Sequence, residues 1–335
     1  MKNENIHLVK AAFHTQFKTA MEDCGVSADY YFNKVNLPTE VSDPERMLPV
    51  KPFYHLINIV AINESIPDFG SQVAQITPWH EVLSLGPLIQ ASADLKHLLE
   101  TFCEIGSGQS SSVLFALVDE GSHFSFCYTN TLLYKRDIQM ELYRITSMIQ
   151  LVQLATGIQW RPEAIRLIMP NTKTVDVCSL LTKSEISFSQ ADSAISIQRN
   201  LLQLPVHLSI PERIKTNNID ADFDITFIKS LHQIIDIYTL TKNISIEEVA
   251  SIADMSVRSL QRRLANSGLK YNYLLNQAKY DHAKEKLQNT QLPVAEIAKS
   301  LGYSDPAHFS RAFRRWSGLS PAGFRKCWLD RVGLG

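Results

Sequence analysis

Residues 294–318, VAEIAKSLGYSDPAHFSRAFRRWSG, repeat the outline of an earlier stretch, residues 246–268, IEEVASIADMSVRSLQRRLANSG. Glu248, Val249 and Ala250 correspond to Glu296, Ile297 and Ala298 at an offset of 48, as do Ala253 to Leu301, Met255 to Tyr303 and Ser256 to Ser304. One residue is inserted near Pro306, and from there the offset is 49: Leu260 meets Phe309, Arg262 meets Arg311 and Leu264 meets Phe313. Each copy closes on a glycine. The unit is duplicated, and each copy has the pattern of two short helices joined by a sharp turn.

The pattern assigns a job to each position. Ala250 and Ala298 are small where a second helix must cross closely. Asp254 and Gly302 fall at the turn, and Met255 and Tyr303 follow it as plugs between the helices. Ser256 and Ser304 are placed to cap the second helices, Ser245-Ile-Glu-Glu248 reads as a capping box, and Pro306 suits a first helical turn. On the second helix of the first copy, Leu260 and Leu264 share the inward face. Arg258, Gln261 and Arg262 share the opposite one. Arginine can contact guanine with two parallel hydrogen bonds, and glutamine can do the same for adenine. In the second copy Phe309 and Phe313 turn inward with Trp316, which leaves Ala307, Ser310 and Arg311 outward. Arg314 and Arg315 follow, placed for phosphates rather than bases.

Between the copies, Tyr271–Gln288 reads as one helix of roughly 27 Å. A rod of that length can hold two reading helices about one DNA turn, roughly 34 Å, apart. Charge agrees with this reading. The net charge of the 335 residues is −1, but 15 Lys and Arg stand against 8 Asp and Glu from Thr241 onward, leaving 18 basic and 26 acidic residues before it. A basic tail on an acidic body points to a polyanion partner for the tail alone.

The rest of the chain reads as a different kind of domain. Up to about Thr101 it is helical in pattern: Val9–Cys24, Ala28–Val35 capped by Ser27, and Phe53–Ile62 after an extended link punctuated by Pro44, Pro49 and Pro52. Another helix opens at Ser92-Ala-Asp-Leu and runs to about Ile105. Ser111–Asp119 and His123–Thr129 then flank Glu120-Gly-Ser as a hairpin. Met140–Ala155 is a helix stopping at Gly157, Glu163–Met169 a strand, and Glu185–Gln190 with Ala194–Gln198 a second hairpin. The expected domains are therefore an α+β region over 1–205, a linker over 206–222 and an all-α region over 223–330, opening with a helix at Phe223–Leu240.

At 45% hydrophobic residues the composition suits a folded globular chain. No apolar run reaches the roughly 18 residues of a membrane span, and the acid-bearing start is unlike a secretory signal, so a cytoplasmic protein without a membrane partner is expected. Cys24, Cys103, Cys127, Cys178 and Cys327 are scattered, which suits small buried groups in a reducing compartment. His80, His97 and His123 lack metal-ligand spacing, and Gly106-Ser-Gly108 lacks the lysine of a phosphate loop. No cofactor, metal or catalytic residue is expected.

The tail resembles the DNA-binding domain of the AraC/XylS family of bacterial transcription regulators. The resemblance rests on Leu301-Gly-Tyr, Phe309-Ser-Arg-Ala-Phe313, Gly318-Leu-Ser-Pro321 and the following Arg325, and covers roughly Phe223–Lys326. It implies two helix-turn-helix units joined by a helix, binding double-stranded promoter DNA and usually activating transcription with RNA polymerase as a partner. The family's base-facing positions fall on Arg258, Gln261 and Arg262, and on Pro306, Ala307, Ser310 and Arg311. Pro306 and Ala307 depart from the longer polar residues often found there, which shifts the second unit toward phosphates and DNA shape. The front region resembles the arabinose-binding-like N-terminal domain of one branch of that family, through Gly86-Pro-Leu-Ile, the helix Leu95–Ile105 and the stretch from Gly157 to Leu167. It departs from that pattern after Pro170. This resemblance implies a small-molecule effector or a homodimer contact, with no ligand residues assigned. The competing reading gives residues 1–205 an enzymatic activity, although the zinc-binding cysteine cluster of repair methyltransferases with such tails is missing.

Overall fold

The computed structural model describes residues 6–41, 43–79, 91–106, 109–130, 137–157, 159–206, 227–239 and 243–331. His80, Gly86-Pro-Leu-Ile, residues 107–108 and residues 207–222 of the expected linker lie outside the described residues. The described chain falls into two compact units, one over residues 7–206 and one over residues 227–331 together with Ile6.

The first unit is α+β. Its central sheet has five strands in the order β3-β4-β7-β5-β6: β3 (Val113–Asp119), β4 (His123–Asn130), β5 (Ala164–Arg166), β6 (Glu185–Ser187) and β7 (Ser193–Gln198). The hairpin expected around Glu120-Gly-Ser is present, with Phe115 opposite Tyr128 and Leu117 opposite Phe126. Side chains two apart share a face of a strand, so Phe124, Phe126 and Tyr128 of β4 line up with Ile197, Ile195 and Ser193 of β7.

The second expected hairpin is not formed. β7 is already flanked by β4 and β5, and β6 pairs in parallel with β5 instead. The segment after β6 turns at Ser189, whose φ is +58°, and Ser189 and Gln190 donate their amides to the carbonyls of Met169 and Leu167. A polar strand (Glu185, Ser187) sits at the edge and the apolar one (Ile195, Ile197) takes the centre, an outcome set by burial rather than by closeness in sequence.

Helices cover the sheet. α1 (Ala12–Asp23), α2 (Ala28–Lys34), α3 (Val50–Asn63), α4 (Phe69–Ile76) and α5 (Leu95–Gly106) precede it, α6 (Ile138–Thr156) follows the β3–β4 hairpin, and the short α7 (Arg199–Leu202) follows β7. α6 is buried on all sides, including Glu141, Arg144, Thr146 and Ser147, the mark of a central helix. It crosses α4 at Gly70, where a Cβ would overlap the carbonyl oxygen of Gln139.

Two other expectations are corrected. The helix read from Val9 begins at Ala12, because Leu8–Lys10 form a strand, β1, paired antiparallel with β2 (Met47–Pro49). Lys10 also donates its amide to the Gln109 carbonyl at 3.0 Å, and Ser111 donates its own to the Leu8 carbonyl at 3.0 Å. Partners 37 to 103 residues away decide this segment. Ser27 stands at the N-cap position of α2 without a side-chain cap bond. Of the cysteines, Cys127 and Cys178 are buried, Cys24 and Cys103 half-buried and Cys327 exposed, all as free thiols.

The second unit is built, among the described residues, of helices alone: α8 (Phe227–Thr239), α9 (Ile246–Ile252), α10 (Val257–Asn266), α11 (Tyr271–Asn289), α12 (Val294–Ser300), α13 (Pro306–Ser317) and α14 (Pro321–Arg331). No helix among the described residues is long and apolar enough to cross a membrane.

Candidate nucleic-acid interface

The two copies fold alike. α9 starts on a capping box: Ser245 Oγ accepts from the Glu248 amide at 3.2 Å, and Glu248 Oε2 accepts from the Ser245 amide at 2.8 Å. The chain then turns through Asp254 at φ +56°, and the Met255 amide donates to the Ala250 carbonyl at 3.0 Å. In the second copy the turn residue is Gly302 at φ +76°, and Tyr303 donates to Ala298 at the same 3.0 Å. A left-handed residue is required at both turns. Gly302 has a further constraint, since a Cβ there would lie 3.1 Å from the Cβ of Asn243.

The second helices follow. Ser256 caps α10 by accepting from the Ser259 amide at 3.1 Å. The expected cap at Ser304 is displaced by one residue: Asp305 caps α13, accepting from Ala307 at 2.8 Å, with Pro306 in the first turn. The inserted residue therefore lies before the cap, and Ser256 matches Asp305 at the later offset. An aspartate is the better cap here because its charge also meets the positive end of the helix.

α11 joins the copies. Its 19 residues make a rod of about 28 Å. Tyr271 Oη donates to the Ile244 carbonyl at 2.7 Å, tying the rod to the first copy. His282, buried, meets the Asp236 carbonyl at 2.8 Å and its carboxylate at 3.0 Å, tying the rod to α8. At the far end Arg325 of α14 donates to the carbonyls of Leu287 at 3.3 Å and Leu292 at 2.6 Å. The sequence placed Arg325 only by resemblance; its bonds give it a structural task, closing the carboxyl end of the rod.

The cores differ between copies. Leu260 and Leu264 are buried behind α10, and Phe309 and Phe313 behind α13. The second core is aromatic, with Tyr280, Tyr303, Trp316 and Phe324 packed against it. Lys279 lies 4.8 Å from the centre of the Tyr303 ring, and burial holds its ammonium below the ordinary lysine range.

Arg258, Gln261 and Arg262 are exposed on α10, on the face opposite the leucines. On α13, Pro306, Ala307 and Arg311 are exposed, as are Arg314 and Arg315. Ser310 is half-buried, and its hydroxyl donates to the Pro306 carbonyl at 2.9 Å. Among the described residues none of the arginines at 258, 262, 311, 314 and 315 has an ion-pair partner within 4.0 Å. The two second helices thus each carry cationic side chains directed away from a closed apolar core.

The first unit contains a cavity that sequence reading missed. Phe13, Phe53, Trp79, Phe102, Phe115 and Arg144 are among its walls, drawn from β1 to α6. Each aromatic residue alone reads as core, so the available signal was a charged residue, Arg144, in the all-round buried α6.

Residues 25–206 match the arabinose-binding N-terminal domain of the AraC transcription regulator, and residues 249–326 match a helix-turn-helix domain. The HTH-type transcriptional regulator VirS of Mycobacterium tuberculosis (strain H37Rv) is 22% identical over 332 residues, 95% of this chain and 96% of VirS. The HTH-type transcriptional regulator VqsM of Pseudomonas aeruginosa is 40% identical over 81 residues, 24% of this chain and 25% of VqsM. The crystal structure of the transcriptional regulator CdpR from Pseudomonas aeruginosa aligns with 94% of this chain and 98% of its own, at 17% identity and a TM-score of 0.42. The first match alone spans more than half of the chain, and the duplicated helical unit follows it: this protein belongs to the AraC family of transcription regulators, with a DNA-binding helix-turn-helix region behind an arabinose-binding-type domain.

Proposed function

We propose that the protein activates transcription by placing α10 and α13 in successive major grooves of promoter DNA, under the control of a small molecule held in the first unit. Arg258, Gln261 and Arg262 read base edges. Arg311 adds a contact from the second helix, Pro306, Ala307 and Ser310 lie against the duplex with little to read, and Arg314 and Arg315 hold phosphates. The observation that carries this is the trio on α10: three exposed, hydrogen-bonding side chains on one face of a helix whose other face is closed by Leu260 and Leu264. The cavity beside Arg144 supports the effector, and RNA polymerase is the partner activation requires.

The test uses the full chain and a site selected from a random duplex library. Arg262→Ala lowers affinity for the selected site by about 1–3 kcal/mol and for random duplex much less. Binding weakens steeply with salt, since phosphate contacts release counterions. Equal losses on both duplexes overturn the base-reading role. A promoter reporter that responds to the protein by falling rather than rising overturns activation.

A further inference from the structure

The rod between the two copies has a polar row of its own. Residues three and four apart on a helix share a face, so Asn272, Asn276 and Lys279 line up along α11 over about 10 Å. Asn272 is exposed and Asn276 half-buried, and neither side chain has a hydrogen-bond partner among the described residues. Lys279 is 7% exposed, and its ammonium stands 4.8 Å from the centre of the Tyr303 ring. It has no ion pair or hydrogen bond among the described residues, and burial acts on its charge with no carboxylate to oppose it. A lysine so placed packs its stem and carries its charge to the nearest surface, where an anion supplies the missing partner.

Each end of the row adjoins a reading helix. Asn272 and Gln261 of α10 line one cavity open to solvent. Tyr303, against which Lys279 rests, stands just before Pro306, the first residue of α13, and its phenol also feels the Arg315 guanidinium. The far side of the rod has the opposite character. It presents Asp281 and Glu285, both exposed, with Lys284 between them, and Gln277 donates to Asp281 at 3.2 Å. One side of the rod is therefore acidic, and the side that meets α10 and the start of α13 carries only amides and an ammonium.

DNA geometry puts phosphates opposite that side. When two successive major grooves are read from one face of a duplex, the minor groove between them faces the protein midway, bordered by both backbone strands. That groove is about 6 Å wide, so a row of about 10 Å reaches from one strand to the other.

We infer that Asn272, Asn276 and Lys279 form a third DNA contact, donating hydrogen bonds to the phosphates that border the minor groove between the two reading helices. Lysine meets a phosphate as a point charge and asparagine through its amide, and neither contact depends on the base. The row thus fixes register and adds affinity without adding sequence preference. The inference rests on the two-groove reading above and gives the rod a task besides spacing.

The test measures binding of the full chain to the selected duplex across a range of salt concentrations. In Lys279→Gln the slope of log affinity against log salt is expected to fall by about 0.9, the value for one phosphate. Affinity for selected and random duplex falls by the same factor. Lys279→Arg keeps the slope, and so does Lys284→Gln on the far side of the rod. A lysine that only packs against Tyr303 would lower thermal stability and leave the slope unchanged. The double variant Asn272→Asp with Asn276→Asp alters side chains without partners in the fold, and decides the matter should Lys279→Gln fail to fold. It is expected to weaken binding at least about tenfold at low salt, by placing carboxylates against phosphates. An unchanged slope in folded Lys279→Gln, an equal fall in Lys284→Gln, or undiminished binding by the aspartate pair overturns the inference and leaves the reading helices their role. Failure of the unaltered chain to bind any selected duplex overturns the two-groove reading and this inference with it.

Discussion

The first helix-turn-helix unit and the second share a fold and differ in the side chains they expose. α10 carries three long hydrogen-bonding side chains over an aliphatic core of Leu260 and Leu264. α13 carries a proline, an alanine, a serine bonded to its own helix and an arginine over an aromatic core. One helix exposes three long polar side chains, and the other exposes one at the matching positions over a core that gathers aromatic rings. A duplicated fold need not duplicate its surface: the turn hydrogen bonds of Met255 and Tyr303 are both 3.0 Å long, while the exposed faces that follow them differ.

The comparison breaks most visibly in the cores. Phe313 has its ring 5.6 Å from Tyr280, 5.8 Å from Phe309 and 5.5 Å from Phe324. Phe313→Ala is expected to destabilise the second unit by about 3–5 kcal/mol. Leu264, though buried, lines a cavity open to solvent with Gln261 and Tyr271, so Leu264→Ala lets solvent or neighbours refill the space and costs about 2–3 kcal/mol. Urea denaturation of the full chain, followed by hydrogen exchange in α10 and α13, measures both. A larger loss at Leu264 reverses the comparison.

Next come the reading faces. Gln261→Ala lowers affinity for the selected site by about 1–3 kcal/mol and flattens discrimination at one base pair. Ser310→Ala changes affinity by less than about 0.5 kcal/mol, as expected of a surface substitution whose hydroxyl is already spent on the Pro306 carbonyl. Competition with single-base variants of the site separates them, and comparable effects at the two positions would show both helices reading.

The most local effect lies at the starts of the first helices. α9 opens on a capping box, whereas α12 opens at Pro293 without a side-chain cap. Ser245→Ala costs about 1 kcal/mol. The loss is local, so hydrogen exchange quickens in α9 and holds steady in α12. A uniform rise across both would mean that the two units open together.

Much of this second region was legible because its determinants are close in sequence. The offset of 48, the Ser245–Glu248 box, the positive-φ turns and the three-and-four spacing of Arg258, Gln261 and Arg262 are all written within single helices or single turns. The misplaced cap shows the limit: Ser304 and Asp305 both cap well, and only the packed position of Phe309 and Phe313 fixes which one begins α13. The first region was less legible for the same reason inverted. β1 depends on Met47–Pro49 and on Gln109–Ser111, β6 on β5 rather than its neighbour β7, and the cavity on six elements at once. The engagement of Glu141 by Tyr128, Ser193 and Ile168 is likewise invisible along the chain, since those partners lie 13 to 52 residues away.

Arg325 has a consequence for damaged copies of the protein. Both reading helices are complete by Ser317, yet the clasp on the Leu287 and Leu292 carbonyls comes from α14. A protease cut anywhere between Gly318 and Arg325 leaves α10 and α13 intact and removes the clasp on the rod. On the function proposed above, such a fragment would hold DNA with one hand, competing for half of each site while unable to fill it.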